Sequence, residues 1–152
     1  MPFLPVFSCT FKSVFDQTEK DKTMMANQRQ SFKILLVDDE PNILLALEFL
    51  MNQQGYAIEK ATSGEEALEV IASFHPDLVI LDVMMPGIDG FEVAMKIRKS
   101  SRYNNIRIIF LTTKGTAEDK LKGYGSGGEV YVTKPFDNYE LVNTVNEIFE
   151  MS

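Results

Sequence analysis

The sequence predicts an α/β protein built on a doubly wound, five-stranded parallel sheet with helices on both faces. Three observations carry this. From Phe32 onward, short apolar runs alternate with amphipathic stretches of ten or more residues, the pattern of parallel strands joined by helical crossovers. The runs ILLV (34–37), DLVILD (77–82) and RIIFLT (107–112) are almost continuously apolar, as strands covered on both sides are. Polar residues gather at the carboxyl ends of the strands, where open α/β sheets bind ligands at the point where the topology switches direction.

The elements follow in order. The first strand, ILLV, is followed by Pro41, suited to the first position of a helix running through ILLALEFLM. The second strand is YAIEKA (56–61), and Ser63 with Glu66 three residues on has the capping-box spacing that opens a helix. After the third strand, DLVILD, Asp89 with Glu92 repeats that signal. After the fourth, RIIFLT, Thr116 with Asp119 gives a weaker version. The fifth strand is VYVT (130–133), and Asp137 with Glu140 opens the last helix. The Phe, Met and Leu residues at helical spacing in 43–51 and 139–149 read as core, and His75 as a loop residue ahead of the third strand.

Residues 1–30 form a separate N-terminal extension ahead of a domain spanning 31–152. They show no sustained period and turn polar in DQTEKDKTMMANQRQS, as a flexible linker would, and the sequence leaves open an ordered arm or a partner-binding tail. They carry four basic and three acidic residues, a charge of +1, against eleven and nineteen, a charge of -8, in the rest. The acidity therefore belongs to the domain.

Composition excludes several classes. With 152 residues, 45% hydrophobic and 24% charged, the chain has apolar material for one ordinary core. A net charge of -7 argues against a binder of phosphate backbones, whose affinity rests on clustered Lys and Arg, so no direct nucleic-acid contact is expected. The lone Cys9 can form neither an internal disulfide nor a structural zinc site, which points to a reducing, cytoplasmic setting. No run approaches the roughly 18 apolar residues needed to span a bilayer, and the opening MPFLPVFSCTFKSVF has two prolines and no basic residue ahead of its apolar part, a poor export signal.

The chemistry concentrates at the strand ends. Asp38 and Asp39 end the first strand, Asp82 the third and Thr112 the fourth, while Lys134 follows the fifth. Crowded carboxylates are costly unless a cation neutralises them, and hard oxygen ligands suit Mg²⁺ or Mn²⁺. Blander roles exist for each residue. Asp39 and Glu40 could simply complement the positive end of the helix at Pro41, each worth about 0.3–1 kcal/mol, but that leaves Asp38 unexplained. Asp82 could be a loop residue before the MPG turn, Lys134 a solvated turn residue, and Tyr131 an aromatic packing the sheet edge. Convergence of five polar residues on one rim favours a site.

VDDEP (37–41), DVMMPGIDG (82–90), LTTKG (111–115) and YVTKPF (131–136), in this order and spacing, resemble the receiver domain of two-component response regulators over residues 31–150. The resemblance implies a flavodoxin-like sheet of strand order 2-1-3-4-5. It implies Asp82 as phosphoryl acceptor from the phosphohistidine of a sensor kinase, and Mg²⁺ held by Asp38, Asp39, Asp82 and the backbone carbonyl of Met84. Thr112 and Lys134 would contact the phosphoryl oxygens, Thr112 and Tyr131 would form the conformational switch, and the Lys134–Pro135 bond is expected to be cis. Such a protein catalyses only its own phosphorylation and dephosphorylation, and its partners are a sensor kinase or phosphotransfer protein and a downstream protein target, with no membrane insertion.

Two departures stand out. Thr113 replaces the small residue usual after the switch threonine, narrowing access to the phosphoryl group. The glycines of GYGSGGEVY (123–131) are expected to leave the fourth helix of the domain short or frayed, each costing roughly 0.5–1 kcal/mol inside a helix. Val130 and Thr144 stand where the acid and base of one head-to-head receiver dimer belong, so that pairing is not expected. With no output domain after residue 150, the sequence reads as a stand-alone regulator that switches the face formed by the fourth helix, fifth strand and fifth helix. The rival is a phosphorylation-independent binding module of the same fold. A phosphate-binding enzyme is disfavoured, because DDEP stands where a Gly-rich loop would follow the first strand.

Overall fold

The structure is a computed structural model that describes residues 3–113 and 130–151. Its elements are α1 (Phe3–Gln30), β1 (Lys33–Val37), α2 (Pro41–Gln53), β2 (Ala57–Ala61), α3 (Gly64–Phe74), β3 (Leu78–Leu81), α4 (Gly90–Lys99), a 3₁₀ turn (Ser101–Tyr103), β4 (Arg107–Thr112), β5 (Val130–Thr133) and α5 (Asn138–Glu150). The five strands form one sheet of order β2-β1-β3-β4-β5, every pairing parallel. This is the doubly wound, flavodoxin-like arrangement expected from the alternation of runs. The expected Thr116–Asp119 cap and the glycines at 123, 125, 127 and 128 lie outside the described residues.

The sheet divides the core in two. On one side Leu35, Val37, Val79, Leu81, Ile108 and Phe110 pack with Ala67 and Ile71 of α3 and Phe91, Val93, Ala94 and Ile97 of α4. On the other, Ile34, Leu36, Leu78, Ile80, Ile109 and Leu111 pack with Leu44, Leu47 and Met51 of α2 and Leu141, Val145, Ile148 and Phe149 of α5. Alternate residues of β1, β3 and β4 thus feed opposite cores, the physical reason these strands read as unbroken apolar runs. The expectation that the apolar residues of 43–51 are all core needs correction: Leu45 and Phe49 are 66% and 61% exposed. They lie on the outer face of α2, which the helical period of Leu44, Leu47 and Met51 leaves in solvent.

Three helix starts follow the capping signals. Ser63, Asp89 and Asp137 accept from the backbone N–H of Glu66, Glu92 and Glu140 at 3.1, 2.9 and 2.9 Å. The reciprocal half of the box is shifted at α3, where Glu66 accepts from the N–H and Oγ1 of Thr62. Pro41 opens α2 at its first turn. His75 ends α3 in the left-handed conformation (φ 53), and Lys134–Pro135 is cis.

Residues 3–30 are helical, where the sequence reads as a linker. The reason is local: 16–30 contains neither Gly nor Pro, and it is laced by contacts at helical spacing. Gln17 donates to Asp21 (3.1 Å), Lys22 pairs with Glu19 (3.4 Å), and Thr23 Oγ1 donates to the Glu19 carbonyl (2.9 Å). Such a helix needs no apolar stripe, so periodicity does not reveal it. Its end is tied to the domain at the amino edge of the sheet. Arg29 donates to Gln54 Oε1 (3.2 Å), Asn146 donates to the same oxygen, Tyr56 donates to Asn146, and Phe32 stacks on Phe149 with centroids 4.2 Å apart.

Candidate phosphoryl-acceptor site

The two strands at which the winding reverses, β1 and β3, are neighbours, so their carboxyl ends lie side by side. β1 delivers Asp38 and Asp39 there and β3 delivers Asp82, whose backbone N–H donates to the Val37 carbonyl at 2.9 Å. Carboxylate oxygens of Asp38, Asp39 and Asp82 all lie within 4.8 Å of one another. Asp38 and Asp82 are buried and Asp39 is exposed. Thr112, fully buried, ends β4, and its carbonyl accepts from the Lys134 N–H at 2.8 Å.

That bond sets Lys134 at the rim. Its Nζ lies 2.7 Å from Asp38 Oδ2 and 3.7 Å from Asp82 Oδ2, so it is not a solvated turn residue. The other oxygen of Asp38 accepts from the Glu40 N–H at 2.9 Å. Glu40 occupies the N-cap of α2 but makes no side-chain capping bond; Asp38 satisfies the helix entrance instead.

Electrostatics follow from the crowding. Burial and the adjacent Asp38 charge push the Asp82 carboxyl up from 3.8 to about 6, although Lys134 and the Met84 N–H pull it down. Burial lowers the Lys134 pKa, but its hydrogen bond to Asp38 and the charges of Asp82 and Asp38 outweigh that and leave it raised. At neutral pH the site holds three carboxylates against one ammonium.

The close approach of α4 fixes the acceptor strand end. A Cβ on Gly90 would lie 2.3 Å from the Asp82 carbonyl oxygen and 2.9 Å from the Val83 Cα, so only glycine fits. Met84, two residues after Asp82, is 54% exposed, and its N–H donates to Asp82 Oδ1 at 3.4 Å. Thr113 Oγ1 lies 3.5 Å from the Met84 sulfur, so the residue after Thr112 leans over the same loop. Tyr131 is half-buried on β5, with its ring 6.3 Å from that of Phe110. The structure thus brings Asp38, Asp39, Asp82 and Lys134 together directly and puts Thr112, Met84 and Tyr131 on adjoining strand ends and loop. Sequence reasoning gave no role to Glu65 and Gly87, which meet beside the Asp82 loop; only the fold reveals that meeting.

The fold and the site together define a doubly wound α/β protein with clustered acids and a lysine at the switch point of its sheet. The model of the response regulator receiver domain matches residues 34–146. The chain belongs to this family. Among curated proteins it is 46% identical over 109 residues to "Probable transcriptional regulator ycf27" of Cyanophora paradoxa, covering 72% of the chain and 44% of that protein. It is 34% identical over 116 residues to "DNA-binding dual master transcriptional regulator RpaA" of Synechocystis, covering 76% and 48%. The chain spans about half the length of the curated relatives it matches. Among solved structures, the Vibrio cholerae chemotaxis protein CheY4 matches with a TM-score of 0.73 at 34% identity, covering 76% of this chain and 97% of that one. A two-component response regulator from Clostridium difficile matches with a TM-score of 0.74 at 28% identity, covering 78% and 96%.

Proposed function

We propose that this receiver domain accepts a phosphoryl group on Asp82 from the phosphohistidine of a sensor kinase or phosphotransfer protein, in a Mg²⁺-dependent reaction, and signals through a protein partner. The observation that carries this reading is the grouping of Asp38, Asp39 and Asp82 within 4.8 Å, faced by Lys134 at 2.7 and 3.7 Å. The donor set fits Mg²⁺ or Mn²⁺: hard carboxylate oxygens, net negative, with one acid exposed for exchange with water. Asp38, Asp39, Asp82 and the Met84 carbonyl would hold the ion, which when bound supplies charge neutralisation to the transferring phosphoryl group.

The chain's own residues supply the rest. A carboxylate oxygen of Asp82 attacks phosphorus in line, the P–N bond breaks, and the histidine nitrogen keeps the electron pair. No general base is required, because Asp82 is mostly ionised at neutral pH even with its carboxyl near 6. Lys134 stands where it can meet the developing negative charge on the phosphoryl oxygens, and Thr112 offers a hydroxyl from the neighbouring strand end. Movement of Thr112 toward the phosphoryl group would free space for the Tyr131 ring, linking the site to the face of β5 and α5. On that face Val130 and Thr144 stand where the acid and base of a head-to-head receiver dimer would be, which supports a different partner.

In this reading the protein is not an enzyme toward other substrates and works in the cytoplasm. Among the described residues no helix is long and apolar enough to cross a membrane. The naming of its relatives as transcriptional regulators makes a DNA-binding protein the favoured class of output partner, with the acidic domain itself making no nucleic-acid contact. Incubation with acetyl phosphate and Mg²⁺ followed by intact mass tests the core of the proposal. One added phosphoryl group, absent from Asp82→Asn and after chelation, is expected; no adduct on the native chain favours a phosphorylation-independent module.

A further inference from the structure

We propose, resting on the phosphoryl-acceptor reading above, that Glu65 is a positioning residue: its carboxylate tethers the 83–89 loop so that the Met84 backbone stays beside the acid cluster. The loop leaves β3 after Asp82 and rejoins the fold at Gly90. Its two ends are held by backbone bonds, Asp82 N–H to Val37 at 2.9 Å and Gly90 N–H to Val83 at 3.0 Å. Its far side, at Gly87 and Ile88, has no strand beside it; Ile88 packs on the core and against Gly64 at the start of α3.

Glu65 reaches this far side from the first turn of α3. Its Oε1 accepts from the Ile88 N–H at 3.3 Å. Gly87 turns there with φ +79, and a Cβ on it would lie 2.7 Å from Glu65 Oε1 and 3.3 Å from Oε2. The carboxylate therefore lies directly over the turn. An acid in a first turn ordinarily serves its own helix terminus, and the adjacent Glu66 serves that end of its own helix, accepting from the Thr62 N–H at 3.0 Å and hydroxyl at 2.8 Å. Two neighbouring glutamates thus have different tasks, one toward the start of α3 and one toward the loop of the acceptor.

The bond is solvent-facing, so water replaces it at small cost in stability. What it restricts is the set of positions open to the loop. Met84 is bonded to Asp82 by a long 3.4 Å contact; packing of Ile88 on the core and against Gly64 of α3 keeps the loop docked, and the Glu65 bond narrows the positions that its backbone takes beside Asp38 and Asp39. Residues that orient ligands from behind change ion affinity more than they change fold stability.

The test compares the native chain with Glu65→Ala and Glu65→Gln. Two quantities are read: amide hydrogen exchange at Ile88 in the metal-free protein, and the Mg²⁺ concentration giving half-maximal phosphorylation by acetyl phosphate. E65A is expected to speed Ile88 exchange and raise the Mg²⁺ requirement about threefold to tenfold, the range of one ordinary hydrogen bond, with the rate at saturating Mg²⁺ unchanged. E65Q is expected to keep both near native values, because its carboxamide oxygen accepts the same bond. Native behaviour of E65A in both readouts, or E65Q as impaired as E65A, overturns the positioning role. A native chain that takes no phosphoryl group overturns the acceptor reading itself, and it does so whatever Ile88 exchange shows.

Discussion

Replacing Asp82 with Asn should stabilise the metal-free protein at neutral pH while abolishing phosphorylation. The Asp82 carboxyl ordinarily titrates near 3.8 and here near 6, pushed up by burial and by Asp38. The folded chain therefore holds this proton more tightly than the unfolded chain does. The sign follows: stability falls as pH rises from about 3.8 to about 6, and the full penalty is in place above that. At 1.36 kcal/mol per pH unit, the gap corresponds to about 3 kcal/mol. Asn has the shape of the protonated acid and keeps an oxygen for the Met84 N–H, so it removes the penalty without opening a cavity. The expected gain is about 3 kcal/mol at pH 7.5 in EDTA, or roughly 6–12 °C in Tm, shrinking toward zero as pH falls to 4. Saturating Mg²⁺ should close much of the difference by stabilising the native chain selectively. Thermal and urea melts of both proteins at several pH values, with and without Mg²⁺, measure this. Equal stability at pH 7.5 in EDTA, or a difference that grows on acidification, would refute the reasoning.

Gly90→Ala forces a Cβ against the Asp82 carbonyl; a loss of about 1–3 kcal/mol and a roughly tenfold to hundredfold slower acyl phosphate formation are expected, read by melts and acetyl phosphate kinetics. Lys134→Met leaves Asp38 and Asp82 without their cation at 2.7 and 3.7 Å, so the metal-free protein should lose about 3 kcal/mol. Because folding raises the Lys134 pKa, that contribution is fully present at neutral pH and is lost only as pH climbs above 10.5 and through the folded value; a native chain that loses it below pH 9 would contradict the pairing. Tyr56→Phe removes the bond to Asn146 at the amino edge of the sheet and should cost about 1 kcal/mol with the phosphorylation rate unchanged, since the site lies at the opposite edge; an altered rate would reveal coupling through the root of α1.

The parts of the fold legible in the sequence are those written in short-range patterns. Buried strands announce themselves because β1, β3 and β4 face apolar layers on both sides, and the helix starts at Ser63, Asp89 and Asp137 because one side chain satisfies one N–H three residues on. The acid cluster was legible for a different reason: Asp38, Asp39 and Asp82 each stand at the end of an apolar run, and parallel strands bring such ends to one rim. The helix at residues 3–30 was not legible, since its 16–30 half is held by polar contacts at i,i+3 and i,i+4 without an apolar face. Nor was the exposure of Leu45 and Phe49, which share the composition of Leu47 and Met51 and differ from them only in angle around the helix. The meeting of Glu65 with Gly87 joins residues 22 apart and depends on how α3 sits against the loop, which no local pattern records.

The charge balance of the site explains why such a cluster is retained despite its cost. Three carboxylates and one ammonium leave two negative charges uncompensated, and burial together with the adjacent Asp38 charge raises the Asp82 carboxyl. A divalent cation cancels that excess, so in the proposed reading the protein is most settled with Mg²⁺ bound and Asp82 bare. In that reading, converting Asp82 to a dianionic acyl phosphate adds one negative charge at a place where, among the described residues, Lys134 faces the acids. Lys134 is already committed to Asp38 at 2.7 Å and anchored through its own N–H to the Thr112 carbonyl, so the new charge draws on two elements that are bonded to each other. In the same reading, a response confined to either one would strain that bond, whereas moving both would shift the ends of β4 and β5 together, and Tyr131 on β5, against Phe110 on β4, would lie where that shift is felt.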